Sequence, residues 1–427
     1  MSLEKTVNVE YIPRVEGQGD LKIKVKGETA EVEFVVYEPP RFFEAFLTGR
    51  NFIEIHELTS RICGICPVSH QLAALKAVEK AMGVEVSDLT LSLRKLLHMG
   101  SHIQSHILNL YLLSAPDYLG YESIIPMAKD NLEIVKRALR LKKLGNDLVE
   151  LVGGRAIHPV STVVGGFTET PSKTALDSIK KRLMEAREDA IETVRFVSKF
   201  SYPDFERRCE HIALTKEGEY AINDGKLRST EGLEIREEEY RACIKEEQVD
   251  YSWAKHSTVV GRGSYLVGPL ARVNLSFNSM TELAKSLADE VGFKTPCYNP
   301  FKSLVARALE VLNLVDMSVE AIDNLNLKDE RISERDFKPR EGEGYAIVEA
   351  PRGILYHAYG FNGEGRVKWA DIVTPTCQNA KNIEEDLKAF TPKISKMAAE
   401  DIALRSEMLV RAYDPCISCS VHAQLLS

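Results

Sequence analysis

"RICGICPVSH" (residues 61–70) and "YDPCISCSVH" (residues 413–422) each hold Cys-x-x-Cys with a histidine three or four positions later. Four of the chain's eight cysteines fall in these two strings. Two sulfurs on one loop or helix start can grip one metal. Four thiolates suit a soft or borderline ion, which leaves zinc, an iron–sulfur cluster and nickel open. A structural zinc site usually staples a small module, and its ligand pairs lie close in sequence. Here about 350 residues separate the pairs, in a chain of 427 residues that needs no staple. A site assembled from both ends of a large core points to chemistry.

Composition narrows the class. The chain is 44% hydrophobic and 28% charged, as expected of a globular protein with a sizeable core. Its net charge of −8 argues against nucleic acid or an anionic membrane as partner, because both need a basic face. No apolar run approaches the roughly 20 residues that span a bilayer. The opening "MSLEKTVNVE" lacks the apolar core of a signal peptide, so a cytoplasmic protein is expected. Eight cysteines are too sparse for a disulfide framework.

Around the two strings the pattern is mainly α, of the α+β class. Between residues 7 and 38, Leu21, Ile23 and Val25 alternate with polar residues, as do Val32, Phe34 and Val36, which predicts strands. Residues 71–82, 90–114, 125–152, 173–200, 279–291, 300–326 and 383–410 carry apolar residues at helical spacing. The segment 201–275 is mixed, with turns at "NDGK" and "GRGS" and a few strands. Residues 344–375 read as a hairpin turning at "NGEG". The expected architecture is one unit over 1–427. It has a helical-bundle core (71–200 and 279–326), small β elements near both ends, and a C-terminal helix and metal motif at 383–422.

The two cysteine strings resemble the metal-binding signatures of the nickel–iron hydrogenase large subunit. "RVEGQGDLKI" (14–23), "GGRAIHPVSTVVGG" (153–166), "EAPRGILYH" (349–357) and "IVTPTCQN" (372–379) resemble its other motifs, in the same order. The resemblance implies the catalytic subunit of a cytoplasmic, bidirectional enzyme that cleaves dihydrogen heterolytically and reversibly. It implies that Cys63, Cys66, Cys416 and Cys419 hold a nickel–iron centre whose iron carries carbon monoxide and cyanide, with Cys66 and Cys419 bridging. Arg352 would cover the open metal face, oriented by Asp117 and Asp414. Thr376 would donate to a cyanide and His70 to a bridging sulfur, and Glu16 would take the proton from Cys419. Glu44, the Ile372 carbonyl and His422 would bind magnesium. Electrons would leave through an iron–sulfur small subunit, then diaphorase-type flavin and iron–sulfur subunits, to NAD(P), ferredoxin or a deazaflavin. NAD(P) is the preferred acceptor.

Three other readings stay in view: a membrane-associated energy-converting hydrogenase, a complex I-like subunit without the metal, and a zinc-stapled scaffold. The plainest readings of several residues are structural. His98, His102 and His106 recur on one helical face and are read as packed or hydrogen-bonded. His158 is read as supporting the site. Cys209, Cys243, Cys297 and Cys377 are read as small buried hydrophobes, and 327–344 as a solvated loop. The five residues after His422, "AQLLS", are read as retained beside the magnesium site.

Overall fold

Strands β1 (Glu4–Val9), β2 (Gly19–Lys26) and β3 (Thr29–Val36) form an antiparallel sheet in that order. Its apolar alternation buries Leu21, Ile23, Val25 and Phe34 on one face. The structure, a computed structural model, describes residues 4–327 and 337–421. The first cysteine pair precedes helix α1 (Pro67–Met82), whose proline stands at the first turn, where a missing N–H costs nothing. Gly83, in the left-handed region, ends the helix. Helix α2 (Asp88–Ile107) starts at Ser87, whose hydroxyl accepts from the Thr90 amide, and runs into a π-helical turn at Leu108–Ser114. Helix α3 (Leu132–Gly153) packs along α2. They meet at Gly100 and Gly145, where a Cβ on Gly145 would stand 2.7 Å from the Gln104 amide nitrogen. Helix α4 (Lys173–Ser198) follows.

The mixed segment contains the strands β4 (Glu210–Thr215), β5 (Lys226–Ser229), β6 (Glu234–Ile235) and β7 (Tyr265–Leu266), in one sheet of order β7-β4-β5-β6. Strand structure is therefore not confined to the chain ends. Helix α5 (Pro269–Ser276) leads on to the almost fully buried α6 (Ser303–Asp323), which packs on α2 and α4. Where one hairpin is expected at 344–375 there are three strands: β8 (Gly342–Ala350), β9 (Gly353–Phe361) and β10 (Val367–Val373). The turn at Pro351–Arg352 folds β8 back on β9, and Ala350 pairs with Gly353. α1 lies across β8 and β9. At Gly344 a Cβ would sit 1.8 Å from the Ala77 carbonyl oxygen, so only glycine allows that approach.

The expected helix 383–410 is two helices, α7 (Pro375–Phe390) and α8 (Ala399–Tyr413). Pro392 lies in the short turn Thr391–Ile394 between them and cannot continue a helix. Helix α9 (Ile417–Ser420) carries the second cysteine string. One apolar cluster runs from Val7 to Val421 and takes in all four paired cysteines. His422, the tail 423–427 and residues 328–336 of the expected loop lie outside the described residues. Among the described residues, no helix is long and apolar enough to cross a membrane.

Candidate metal centre

The chain ends meet at the site. Glu16, in the loop after β1, forms a parallel bridge with Cys416, and the Ile417 amide donates to the Glu16 carbonyl at 2.9 Å. This brings the 416–419 loop onto the 63–66 loop. The sulfurs of Cys63, Cys66, Cys416 and Cys419 all lie within 4.8 Å of one another, and all four residues are buried. Cys63 and Cys416 are 3.4 Å apart, Cys66 and Cys419 3.9 Å, and every cysteine is free. Four sulfurs about 2.3 Å from one ion in a tetrahedron would be about 3.8 Å apart. The donor set therefore fits a soft metal.

Electrostatics at the sulfurs is divided. Burial pushes the Cys416 and Cys419 thiols well up, whereas hydrogen bonds from Cys416 and the other two thiols bring Cys63 well down. The amides of Ile65 and Cys66 also point at the Cys63 sulfur, each at 3.2 Å. Glu16 Oε2 accepts from the Cys416 thiol at 3.1 Å and from the Ser418 amide at 3.1 Å. The sulfur Glu16 touches is thus Cys416, where Cys419 was expected.

Arg352 sits buried at the β8–β9 turn. Its Nε donates to the Asp414 carbonyl at 2.7 Å, Nη2 to Asp414 Oδ1 at 3.1 Å, and Nη1 to Ser105 Oγ at 3.4 Å. Burial alone would lower its pKa. Asp414 and the sulfurs of Cys416, Cys66 and Cys63 more than offset that, so the guanidinium stays charged. Asp414 caps α8 in the left-handed region, a conformation that costs a non-glycine residue about 1 kcal/mol or more. Arg352 grips both its carbonyl and its carboxylate there. A second buried guanidinium, Arg307, lies 3.9 Å from Asp414 Oδ2, and burial lowers it to about 10.

Asp117 does not bond Arg352. Its carboxylate instead takes Arg411 through two bonds, at 2.7 and 3.0 Å, and also pairs with Arg14. Thr376 Oγ1 accepts from the Cys416 amide at 2.9 Å and so fixes the second cysteine loop. His70, one turn into α1, pairs through Nδ1 with His357 Nε2 at 3.1 Å, and His357 bonds the Tyr359 hydroxyl at 2.6 Å. Glu44, on the short helix Phe43–Leu47, is buried and accepts from the Ile372 amide at 2.8 Å. His158 is partly exposed and left-handed. His98, His102 and His106 are fully buried and pack edge to face in sequence. Cys297 and Cys377 are buried, Cys209 and Cys243 half-buried.

Comparison with known proteins decides the family. The profile described as nickel-dependent hydrogenase matches residues 41–135 and 211–422, which include both cysteine loops. This chain belongs to the nickel-dependent hydrogenases. It is a catalytic large subunit of that family, an enzyme in which the four clustered cysteines are positioned for metal binding. It is 37% identical to sulfhydrogenase 1 subunit alpha of Pyrococcus furiosus, over 97% of each chain. It is 26% identical to the NAD-reducing hydrogenase HoxS subunit beta of Cupriavidus necator, over 99% of this chain and 95% of that one. A solved NAD+-reducing [NiFe]-hydrogenase in the H2-reduced state superposes with a TM-score of 0.88 at 24% identity, covering 99% of this chain and all of the other.

Two site residues escaped the sequence reading. Ser105 shares a helical face with His98 and His102, one position before His106, and this periodicity was available as a signal. Arg307 stands with Glu310 as the two charged residues of the largely apolar run "LVARALEVLNLV" (304–315). Charges inside such a run mark side chains buried against partners on other elements.

Proposed function

We propose that this subunit cleaves dihydrogen heterolytically at a nickel–iron centre held by Cys63, Cys66, Cys416 and Cys419. In this reading it passes electrons to an iron–sulfur small subunit and then to NAD(P). The observation that carries the reading is the pairing of a carboxylate with a cysteine sulfur beside a buried cation. Glu16 Oε2 stands 3.1 Å from Cys416 Sγ, and Arg352 lies buried against the same cluster. A purely structural zinc site needs neither. When bound, the nickel–iron centre supplies the face on which dihydrogen is polarised and its electron pair taken up.

The chain's own residues do the rest. Glu16 accepts a proton at Oε2 from the Cys416 sulfur and, being only half-buried, passes it outward. Arg352 keeps a fixed positive charge against the cluster, and Asp414 sets its orientation. Thr376 holds Cys416 through its amide. Carbon monoxide and cyanide on the iron, and donation from His70 to a sulfur, belong to the same reading. Glu44 and the Ile372 carbonyl, with His422, form the oxygen-rich set proposed for magnesium.

In this reading electrons leave by the face that carries Gly64 and Ile157, both exposed and lining one pocket at the first cysteine loop. The small subunit is proposed to cover it. The relative named NAD-reducing supports NAD(P) as acceptor, and a cytoplasmic setting is proposed with it. The test is metal analysis of the purified complex together with dihydrogen-dependent reduction of NAD+, NADP+ and ferredoxin. Nickel plus iron and rapid pyridine-nucleotide reduction are expected. Zinc alone would overturn the centre, and reduction of ferredoxin only would overturn the acceptor.

A further inference from the structure

Behind the turn that carries Arg352 lies another arginine, Arg272 on α5, also fully buried. A guanidinium has five N–H donors in a rigid plane, and Arg272 uses all five. Nε and one Nη2 hydrogen go to Glu310 Oε1 and Oε2, at 2.6 and 2.8 Å. One Nη1 hydrogen goes to Glu349 Oε2 at 2.9 Å. The last two go to the carbonyls of Ala350 and Pro351, at 2.9 and 3.1 Å. Those are the two residues immediately before Arg352.

The carboxylates are themselves held. Glu349 Oε1 accepts from the Leu214 amide at 2.7 Å, Glu310 Oε1 from the Tyr220 hydroxyl, and His106 Nε2 lies 3.0 Å from Glu310 Oε2. Glu310 stands one turn after Arg307 on α6. Arg307 in turn donates to the Ala412 carbonyl at 3.3 Å and to Asn109 at 2.8 Å. A single turn of α6 therefore anchors both the 350–352 turn and the 412–414 turn, and the Arg352–Asp414 bond joins the two. A buried ion cluster of this kind adds little stability over apolar residues of the same volume. Its geometry is what apolar residues could not supply.

We propose that Arg272, gripped by Glu310 and Glu349, is a positioning residue that sets the Arg352 guanidinium against Asp414 and the four cysteines. The proposal rests on the reading that Arg352 acts on dihydrogen at that centre. Lysine at 272 has three donors and no plane, so it cannot hold both carboxylates and both carbonyls. A shift of about 1 Å in a positioned group costs about 100-fold in rate.

The test uses the metal-loaded enzyme assembled with its partner subunit. Arg272→Lys should keep nickel and iron, lower kcat about 100-fold and leave KM for dihydrogen nearly unchanged. Arg272→Lys added to Arg352→Lys should cost almost nothing further, because the group being positioned is already gone. In the metal-free chain, amide exchange should quicken in the peptides covering 350–354 and 412–416, and stay unchanged in α4. Tyr220→Phe, a milder change, should show the same pattern at smaller size. Wild-type turnover in Arg272→Lys, additive losses in the double variant, or unaltered exchange at 350–354 would each overturn the proposal. A wild-type enzyme that consumes no dihydrogen would instead overturn the functional reading, and the exchange measurement would still report on the clamp.

Discussion

Replacing Asp414 with Asn removes one negative charge from between two buried guanidiniums and changes almost nothing in size. Asp414 Oδ1 lies 3.1 Å from Arg352 Nη2, and Oδ2 lies 3.9 Å from Arg307 Nη2. At an effective dielectric constant of about 20, these separations correspond to attractions of about 5 and about 4 kcal/mol. Asparagine recovers part of this, since no carboxylate need be desolvated and its oxygen can still accept from Arg352. Breaking a buried pair by removing one partner typically costs about 3–5 kcal/mol, and a value in that range is expected. With about 2.1 cal/mol/K per residue, a chain of 427 residues has an unfolding entropy of about 0.9 kcal/mol/K. The melting temperature of the metal-free chain should therefore fall by about 3–6 °C by calorimetry or circular dichroism. The cause is a surplus of buried positive charge, so adding Arg307→Met should restore part of the loss. Turnover in Asp414→Asn should also drop, although Arg352 keeps its 2.7 Å bond to the backbone carbonyl of residue 414. A melting temperature within about 1 °C of the parent, or a double variant that is simply less stable again, would refute the electrostatic account.

Three further outcomes follow from the same geometry. Cys419→Ser removes one of four clustered sulfurs, so elemental analysis should show both metals depleted and dihydrogen turnover abolished. Glu16→Gln keeps the shape and the Ser418 contact but cannot accept a proton. Nickel and iron should remain while turnover falls about 100- to 10,000-fold, the usual worth of a positioned base, and a wild-type rate would remove Glu16 from the proton path. Burial lowers His98 and His106 to about 4, against about 6.5 in the unfolded chain. Their stabilisation is therefore complete above pH 6.5 and is lost as pH falls towards 4, by about 1.4 kcal/mol per pH unit for each group. Burial lowers His56, His211 and His256 as well, so thermal melts of the metal-free chain from about pH 7 to about pH 4.5 should show a fall steeper than these two groups give, and His98→Gln should remove one group's share of it.

Much of the site was legible because its chemistry is carried by residue types with few other uses. Paired cysteines far apart in a well-cored chain have little structural reason to exist, and the fold brings all four within 4.8 Å. Carboxylates were harder to place. Asp117 and Asp414 both lie beside prolines, one in the short helix Ala115–Leu119 and one capping α8, and nothing local tells which arginine each will meet; four arginines end up around the two of them. The strand 342–350 was read as part of a simple hairpin because every residue of β9 is buried, which erases the alternation that marks a register. The break at Pro392 was overlooked because helical spacing resumes on either side of it. The Arg272 cluster was missed for a general reason. A charged residue in a sequence suggests solvent, and only the surrounding apolar run in α6 hints otherwise.

The meeting of the chain ends has a consequence for how the protein is made. Cys63 and Cys416 are 353 residues apart. At about 5–20 residues per second, a ribosome needs about 20–70 s to travel from one to the other. For most of that interval the nascent chain carries the first cysteine pair without Arg352 or Thr376, and for all of it without the second pair. Two sulfurs alone discriminate poorly among soft ions, because affinity at such a site follows the ion more than the shape. The ligands that complete the cage follow the first pair by 353 residues, so the four-sulfur site exists only once both strings have been made and brought together. Discrimination among soft ions by four sulfurs at once is therefore a property of the assembled fold, which neither cysteine string has by itself.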